Sequence, residues 1–351
     1  MRIGIPKEIK PLEGRVSLTP FACSKLVNTG HEVFIQSDAG SLSGFTDDAY
    51  VNSGVKVLDT AKALYQSADL IVKVKEPIAG DLTLLQEHHT LFSYLHLAPA
   101  PELVKQLQQI GLTAVAFETV QLDDGSLPLL EPMSVIAGRL AVQIGTHLLH
   151  APMGGKGVLL GGLATTERGN VVVLGAGNSG AQAVDVAASL GANVTVFDLD
   201  VRKLSRLQAQ YANVTAFTPT DQQLSESVAN ADLLIGAVLV AGLKAPTVVT
   251  EDMVKTMQKG SVIVDIAIDQ GGCIETAEAT DYTNPVIIKH GVQHFAVTNM
   301  PGAVPVTSSQ ALSASILPYV EKIAAGKLHS DLALAKGLNL QKGEVILPAL
   351  L

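Results

Sequence analysis

The sequence predicts an α/β protein of two domains, each built on a mainly parallel, doubly wound sheet with helices on both faces. Three observations predict it. Short β-branched runs alternate with helical stretches along most of the chain, the rhythm of βαβ units. One of those units carries a glycine fingerprint, Gly175-Ala176-Gly177-Asn178-Ser179-Gly180, between an apolar run and a small-residue helix. The chain has 351 residues, too many for one compact core.

Taken in order, Arg2 to Ile5 reads as a first strand closed by Pro6. The charged segment Lys7 to Arg15 is broken by Pro11 and Gly14, so it reads as a loop. Thr19-Pro20 opens a helix, with Thr19 as cap and Pro20 in its first turn, and Gly30 ends it. A strand follows from His31 to Gln36, then helices around Asp47 to Gly54 and Thr60 to Ser67. The strand Leu70 to Lys75 alternates, with Val72 and Val74 on one side and Lys73 and Lys75 on the other. Next come a helix near Asp81 to Glu87, a strand Thr90 to Leu97 with Tyr94 and His96, a helix Pro101 to Ile110, and a strand Thr113 to Ala116. The rhythm lapses between Glu118 and Met133, which marks a boundary. Ser134 is read as the cap of a long helix, Val135 to Leu149.

Gly154-Gly155-Lys156-Gly157 resembles a phosphate loop only superficially, because Gly157 stands where Ser or Thr is needed; a hairpin or irregular loop is expected there. Beyond the fingerprint, strands are expected at Val194 to Phe197, Val214 to Phe217, Asp232 to Leu239 and Ser261 to Ile268, with His294 to Thr298 the last. A long helix from Thr307 through Ala324 is expected to return to the first domain. The first domain is then discontinuous, residues 1–128 plus 307–351, around an inserted domain of residues 129–306.

Each part of the fingerprint has a physical task. Gly175 makes a tight turn, Gly177 lets backbone approach a pyrophosphate, and Gly180 lets helix and strand pack closely. The helix N-terminus offers unpaired N–H groups to phosphate oxygens. Asp198, ending the second strand, suits a ribose diol and repels a 2′-phosphate, which favours NAD over NADP. A lone G-x-G-x-x-G is a weak signal, but strand, helix, strand and acid are all in place here.

Composition narrows the partners. A net charge of −9 argues against nucleic acid and against an anionic membrane surface. Two cysteines, Cys23 and Cys273, suggest no disulfide framework and fit a reducing cytoplasm. No signal peptide is expected at Met1 to Glu8, and no apolar run approaches the about 20 residues of a membrane span.

In open α/β sheets ligands bind beyond the carboxyl ends of strands. Polar residues expected at those ends are Arg15, Lys75, His96, Asp269 and Asn299. Together they suit a small anionic substrate undergoing hydride transfer with proton movement. Each also has a plain reading. Arg15 reads equally as a solvated loop cation, Lys73 and Lys75 as a solvated sheet face, His96 as a core histidine, and Asp269 as a cap at Gly271-Gly272.

The blocks RIGIPKEIKPLEGRVSLTP (Arg2 to Pro20), VKVKEP (Val72 to Pro77), YLHLA (Tyr94 to Ala98), LPLLEPMS (Leu127 to Ser134), GGKGVLLGG (Gly154 to Gly162), GAGNSG, GAVLV (Gly236 to Val240), VDIAIDQGG (Val264 to Gly272) and NMPGAVP (Asn299 to Pro305) occur in order. In them the chain resembles the bacterial alanine dehydrogenase family along nearly its whole length. The resemblance implies two Rossmann-like domains, the cofactor domain inserted in the substrate domain. It implies reversible NAD-dependent deamination of L-alanine to pyruvate and ammonium, by a cytoplasmic homo-oligomer, a hexamer. Arg15 and Lys75 are implied to hold substrate, His96 to act as general acid/base, and Asp269 to accept or relay a proton as water adds to the imine. The cofactor contacts implied, beyond Gly175, Gly177, Asn178, Ser179 and Gly180, are Ser134 at the pyrophosphate and Asp198 and Lys203 at the adenosine ribose. Val238, Leu239, Asn299 and Met133 are implied near the nicotinamide. The chain departs from the family at Val135, where an acid is usual, and at Val306, where a base is usual. Its end at Leu351, short of the family's last helix, leads one to expect weaker subunit packing.

Three other readings compete. The nearest is the NAD-binding subunit of a proton-translocating transhydrogenase, which shares the opening block; Lys75, His96, Asp269 and the Pro-Met-Ser at 132–134 favour the dehydrogenase. A non-catalytic NAD-binding protein would lack one of the chemical groups, and none is lacking. A saccharopine- or opine-type dehydrogenase would need a larger pocket.

Overall fold

The computed structural model describes residues 1–238 and 245–350. The chain divides into two compact units, Met1–Met133 with Gly302–Leu351, and Ser134–Pro301.

The first unit opens with six parallel strands: β1 (Arg2–Ile5), β2 (Glu32–Gln36), β3 (Lys56–Leu58), β4 (Leu70–Val72), β5 (Thr90–Ser93) and β6 (Thr113–Ala116). Their spatial order is β3-β2-β1-β4-β5-β6. The chain thus runs outward from β1 in one direction, then restarts beside it at β4. That reversal is the topological switch point of a Rossmann-type sheet, where a crevice opens beyond the strand ends. Threonine side chains start three of the connecting helices. Thr19, Thr46 and Thr60 each accept the N–H three residues on, at the heads of Pro20–Asn28, Asp47–Val51 and Ala61–Ser67. Leu64, Ile71, Leu91, Leu107 and Leu112 are among the fully buried residues of this unit's core.

The second unit repeats the plan. Its strands are β7 (Asn170–Leu174), β8 (Asn193–Phe197), β9 (Val214–Phe217), β10 (Leu233–Gly236), β11 (Val262–Asp265), β12 (Val286–Lys289) and β13 (Val292–Phe295). Six are parallel in the order β9-β8-β7-β10-β11-β13, and β12 pairs antiparallel on the edge. The switch point here lies between β7 and β10. Val171, Val173, Leu233, Leu234, Ile235 and Val264 are fully buried, as strands covered on both faces require. The chain then returns to the first sheet through the helices Pro305–Ala324 and Leu332–Gly337. Two antiparallel strands follow, β14 (Leu338–Gln341) on β6 and β15 (Glu344–Val345) on β14. Among the described residues no helix is long and apolar enough to cross a membrane.

Several boundaries differ from the sequence expectation, each for a physical reason. The short strands β3, β12, β14 and β15 lie outside the sequence expectation, being only two to four residues long and set at or beside sheet edges; His294 to Thr298 is not the last strand. The long helix of the second unit spans Glu131–Leu148, so Ser134 lies inside it rather than at its cap; Pro132 suits the first helical turn. The return helix likewise starts at Pro305, before Thr307. Strands β4, β5 and β11 end at Val72, Ser93 and Asp265, short of the functional residues expected on them. Residues 154–162 form no strand.

Candidate active site

In the second unit, the loop leaving β7 needs two of its glycines for internal reasons. Gly175 has φ +93°, and a Cβ there would lie 2.6 Å from the Ala237 carbonyl oxygen. A Cβ on Gly180 would fall 1.8 Å from the Gly175 oxygen. Gly177 is different: a Cβ there would meet nothing within 4 Å. The protein itself does not need glycine at 177, so the open space suits a ligand lying against the backbone. Gly177 also heads the helix Asn178–Ser189 without a side-chain cap, which leaves the first-turn N–H groups of Asn178, Ser179 and Gly180 for an outside acceptor. These residues fit a dinucleotide pyrophosphate.

Two neighbours complete this side. A Cβ on Gly138 would lie 2.0 Å from the Ser179 oxygen, so the helix Glu131–Leu148 presses on the loop there. Ser134, four residues earlier, shares that helix face. Asp198 follows β8, and its carboxylate accepts the N–H of Ala176 at 2.6 Å and of Asp200 at 2.7 Å. It thereby ties down the glycine loop, and a carboxylate's four lone-pair sites still leave room for ribose hydroxyls. Asp200 caps the helix Val201–Gln210, whose first turn carries the exposed Lys203.

Beyond β10 the half-buried Val238 leaves the sheet; Leu239 lies outside the described residues. Asp265, fully buried at the end of β11, accepts N–H groups from Ala267, Cys273 and Ile274 at 3.0, 3.0 and 3.2 Å. Burial pushes its carboxyl up to about 6 despite those bonds. It caps the 3₁₀ turn Ile266–Gln270, and this turn, not the strand, carries Asp269. The exposed Asp269 accepts the Asn299 N–H at 3.5 Å, so these two expected site residues do meet. Asn299 stands at φ +65°.

In the first unit, Arg15, Lys75 and His96 stand on the segments leaving β1, β4 and β5, so Arg15 and Lys75 flank the switch point. Neither Arg15 nor Lys75 is solvated as its plain reading had it, and His96 is only half-buried rather than a core histidine. Arg15 is 2% exposed and forms a two-pronged ion pair with Glu13, Nε to Oε1 at 2.7 Å and Nη2 to Oε2 at 2.6 Å. Its Nη1 faces the Met133 sulfur at 3.2 Å. The loop is pinned from outside: Val16 N–H donates to Ser309 Oγ at 2.9 Å, and Ser43 Oγ donates to the Gly14 carbonyl at 2.8 Å. The solvated sheet face expected at Lys73 and Lys75 is overturned too. Lys73 is buried between Glu8 at 3.4 Å and Asp81 at 3.2 Å, with the Tyr65 hydroxyl also donating to Asp81. Lys75, 8% exposed, lies 3.8 Å from Glu76, which also pairs with Lys10.

His96 is half-buried, with φ +47°, past the end of β5. Its ring stacks on Tyr94 with centroids 6.0 Å apart and planes 11° apart. Tyr94 sits edge-on to Phe117 and donates its hydroxyl to the Leu129 carbonyl at 2.5 Å. Burial raises the Tyr94 pKa while the Arg15 charge opposes the rise, so the guanidinium lies near this ring pair. The Glu118 carboxylate accepts the backbone N–H of His96 at 2.6 Å and of Leu95 at 3.2 Å. The sequence reading missed Glu13, Glu118 and Asp265. Only Glu13, two residues from a candidate arginine, left any local sign.

Known proteins resemble this chain along its length. Residues 4–137 match the family "Alanine dehydrogenase/PNT, N-terminal domain" and residues 141–348 "Alanine dehydrogenase/PNT, C-terminal domain". An alanine dehydrogenase of Methanococcus maripaludis is 48% identical over 351 residues, 98% of this chain and 94% of that protein. One of Bacillus subtilis is 46% identical, covering 98% of this chain and 92% of that protein. Among solved structures, an L-alanine dehydrogenase superposes with a TM-score of 0.96 at 49% identity, over 100% of this chain and 98% of that one. A transhydrogenase from Sinorhizobium meliloti superposes with a TM-score of 0.85 at 26% identity, over 99% of this chain and all of that one. The chain belongs to the alanine dehydrogenase/PNT family.

Proposed function

We propose that this protein catalyses the reversible NAD-dependent oxidative deamination of L-alanine to pyruvate and ammonium. One observation carries the reading: a buried guanidinium, an ammonium and an imidazole leave the sheet on β1, β4 and β5, around the first unit's switch point. That set suits a small α-amino or α-keto acid, and the full-length relatives named alanine dehydrogenase narrow it to alanine.

In this reading the first unit is the substrate domain and the second the NAD domain. Gly177 and the helix head at Asn178, Ser179 and Gly180 would hold the pyrophosphate, with Ser134 beside it. Asp198 and Lys203 would hold the adenosine ribose, and Val238, Leu239, Asn299 and Met133 would lie at the nicotinamide. Bound NAD⁺ supplies the hydride acceptor for the alanine α-carbon. Arg15 binds the substrate carboxylate. Lys75 helps hold the substrate at its carbonyl oxygen or amino group. The His96 imidazole takes a proton from the attacking water as it adds to the imine, and returns one to the departing amine. Asp269 accepts or relays that proton. The balance is L-alanine, NAD⁺ and water giving pyruvate, ammonium, NADH and a proton. The reading extends to a cytoplasmic homo-oligomer, a hexamer by family resemblance.

The test is NADH appearance with L-alanine, set against L-serine, L-valine, L-glutamate and D-alanine. Turnover with L-alanine, mirrored by ammonium- and pyruvate-dependent NADH loss, supports the reading. NAD binding with no amino-acid turnover would sink it and favour the transhydrogenase-subunit alternative.

A further inference from the structure

We propose that Glu118 is a positioning residue for proton transfer, aiming the His96 imidazole by holding the main chain on which it stands. The inference rests on the reading above, in which His96 carries the proton.

The local geometry explains why such a device is needed. Strands β5 and β6 run in register, Ser93 opposite Ala116, and there the ladder stops. Two and three residues on, Leu95 and His96 have N–H groups beyond the end of that ladder. Glu118, two residues past Ala116 in the 3₁₀ turn Phe117–Thr119, meets them with its side chain. Its Oε1 accepts His96 N–H at 2.6 Å and Leu95 N–H at 3.2 Å, and Oε2 lies 3.3 Å from the same Leu95 nitrogen. Bonds to a carboxylate are stronger than those to a neutral carbonyl. They hold His96 at φ +47°, a left-handed conformation that a side-chain-bearing residue adopts only when its surroundings impose it. With the backbone fixed there, the ring lies flat on Tyr94. The contact from Glu118 is to main chain, so its effect on the reaction must pass through His96.

The experiment is a double-mutant cycle on the full chain with NAD⁺ and L-alanine. Glu118→Ala is expected to lower kcat about tenfold to a hundredfold, the range that misplacing a reactive group by about 1 Å costs. KM for L-alanine and Kd for NAD should stay within about threefold. Glu118→Gln, which keeps an acceptor oxygen, should recover most of the rate. In a His96→Ala background, Glu118→Ala should cost nothing further. An equal further loss in that background, or an unchanged kcat in Glu118→Ala, overturns the proposal. If Glu118→Ala does not fold, as its urea midpoint will tell, the cycle is run with Glu118→Met, which keeps the bulk without an acceptor oxygen, and the same non-additivity is required. Failure of the deamination reading looks different, because wild-type protein then turns over no amino acid. In that case the rate of carbethoxylation of His96, relative to exposed His88, decides. A change of about threefold in Glu118→Met, which has no acceptor oxygen, supports the positioning role, and an unchanged ratio overturns it.

Discussion

The two units share one strand order yet furnish the crevice beyond it in opposite ways. In the first, the segments leaving the switch-point strands carry buried charge: Arg15 on Glu13, Lys73 between Glu8 and Asp81, and Lys75 near Glu76. In the second, the loop leaving β7 has no charged side chain at all, only glycines and main-chain N–H groups. The contrast follows ligand size. A small amino acid presents a few point charges, which single fixed side chains can meet. A pyrophosphate spreads its charge over many oxygens and needs room, which bare backbone provides. A shared fold therefore fixes where a ligand sits but not how it is held.

The sharpest way to break the comparison is to remove chemistry from the first unit alone. His96→Ala is expected to lower kcat by about 10²- to 10⁴-fold, with NAD affinity by calorimetry unchanged. Loss of NAD binding would make His96 a structural residue. A second test separates the paired lysines. Lys73→Met strands Glu8 and Asp81 in the interior and should cost about 3–5 kcal/mol of unfolding free energy in urea. Lys75→Met should leave the urea midpoint nearly in place and remove turnover. Equal stability losses would erase the distinction between a structural and a binding lysine.

On the second unit, Gly177→Ala should weaken NAD binding at least about tenfold, since the ligand must give up close approach to backbone, with little change in Tm, because a Cβ meets only open space. Gly180→Ala, which drives a Cβ into the Gly175 oxygen, should lower Tm as well. The smallest effect concerns Asp265. Its folded carboxyl titrates at about 6, above the ordinary value of 3.8, so the folded state binds the extra proton. Stability from this group is therefore present at low pH and lost as pH rises through about 6. The stability of wild type relative to Asp265→Asn should rise by about 1 kcal/mol from pH 7 to pH 5. A pH-independent difference would place this carboxyl at its ordinary value.

The second unit was the more legible in sequence. Its glycines announce themselves because Gly175 and Gly180 admit no Cβ, and the buried strands β7, β10 and β11 read as apolar runs. The first unit's chemistry was harder to see. Arg15 in a charged loop resembles a solvated arginine until Glu13 folds back on it, and nothing in the alternation of Val72, Lys73, Val74 and Lys75 says that both lysines are inside. The left-handed turn at His96 depends on Glu118, a partner 22 positions away, and no local pattern encodes it. The short strands β14 and β15 escaped for a related reason: β14 pairs with β6, far back in the chain, and β15 pairs with β14.

The interrupted layout of the first sheet also bears on how the chain is made. Strand β6 emerges from the ribosome about 220 residues before its partner β14. At roughly 5–20 residues per second, that edge waits on the order of tens of seconds, its backbone groups unpaired and open to a neighbouring nascent chain. The second unit is one continuous stretch and can close in the meantime. Crowded polysomes, rather than the finished enzyme, are where this architecture is most exposed to aggregation.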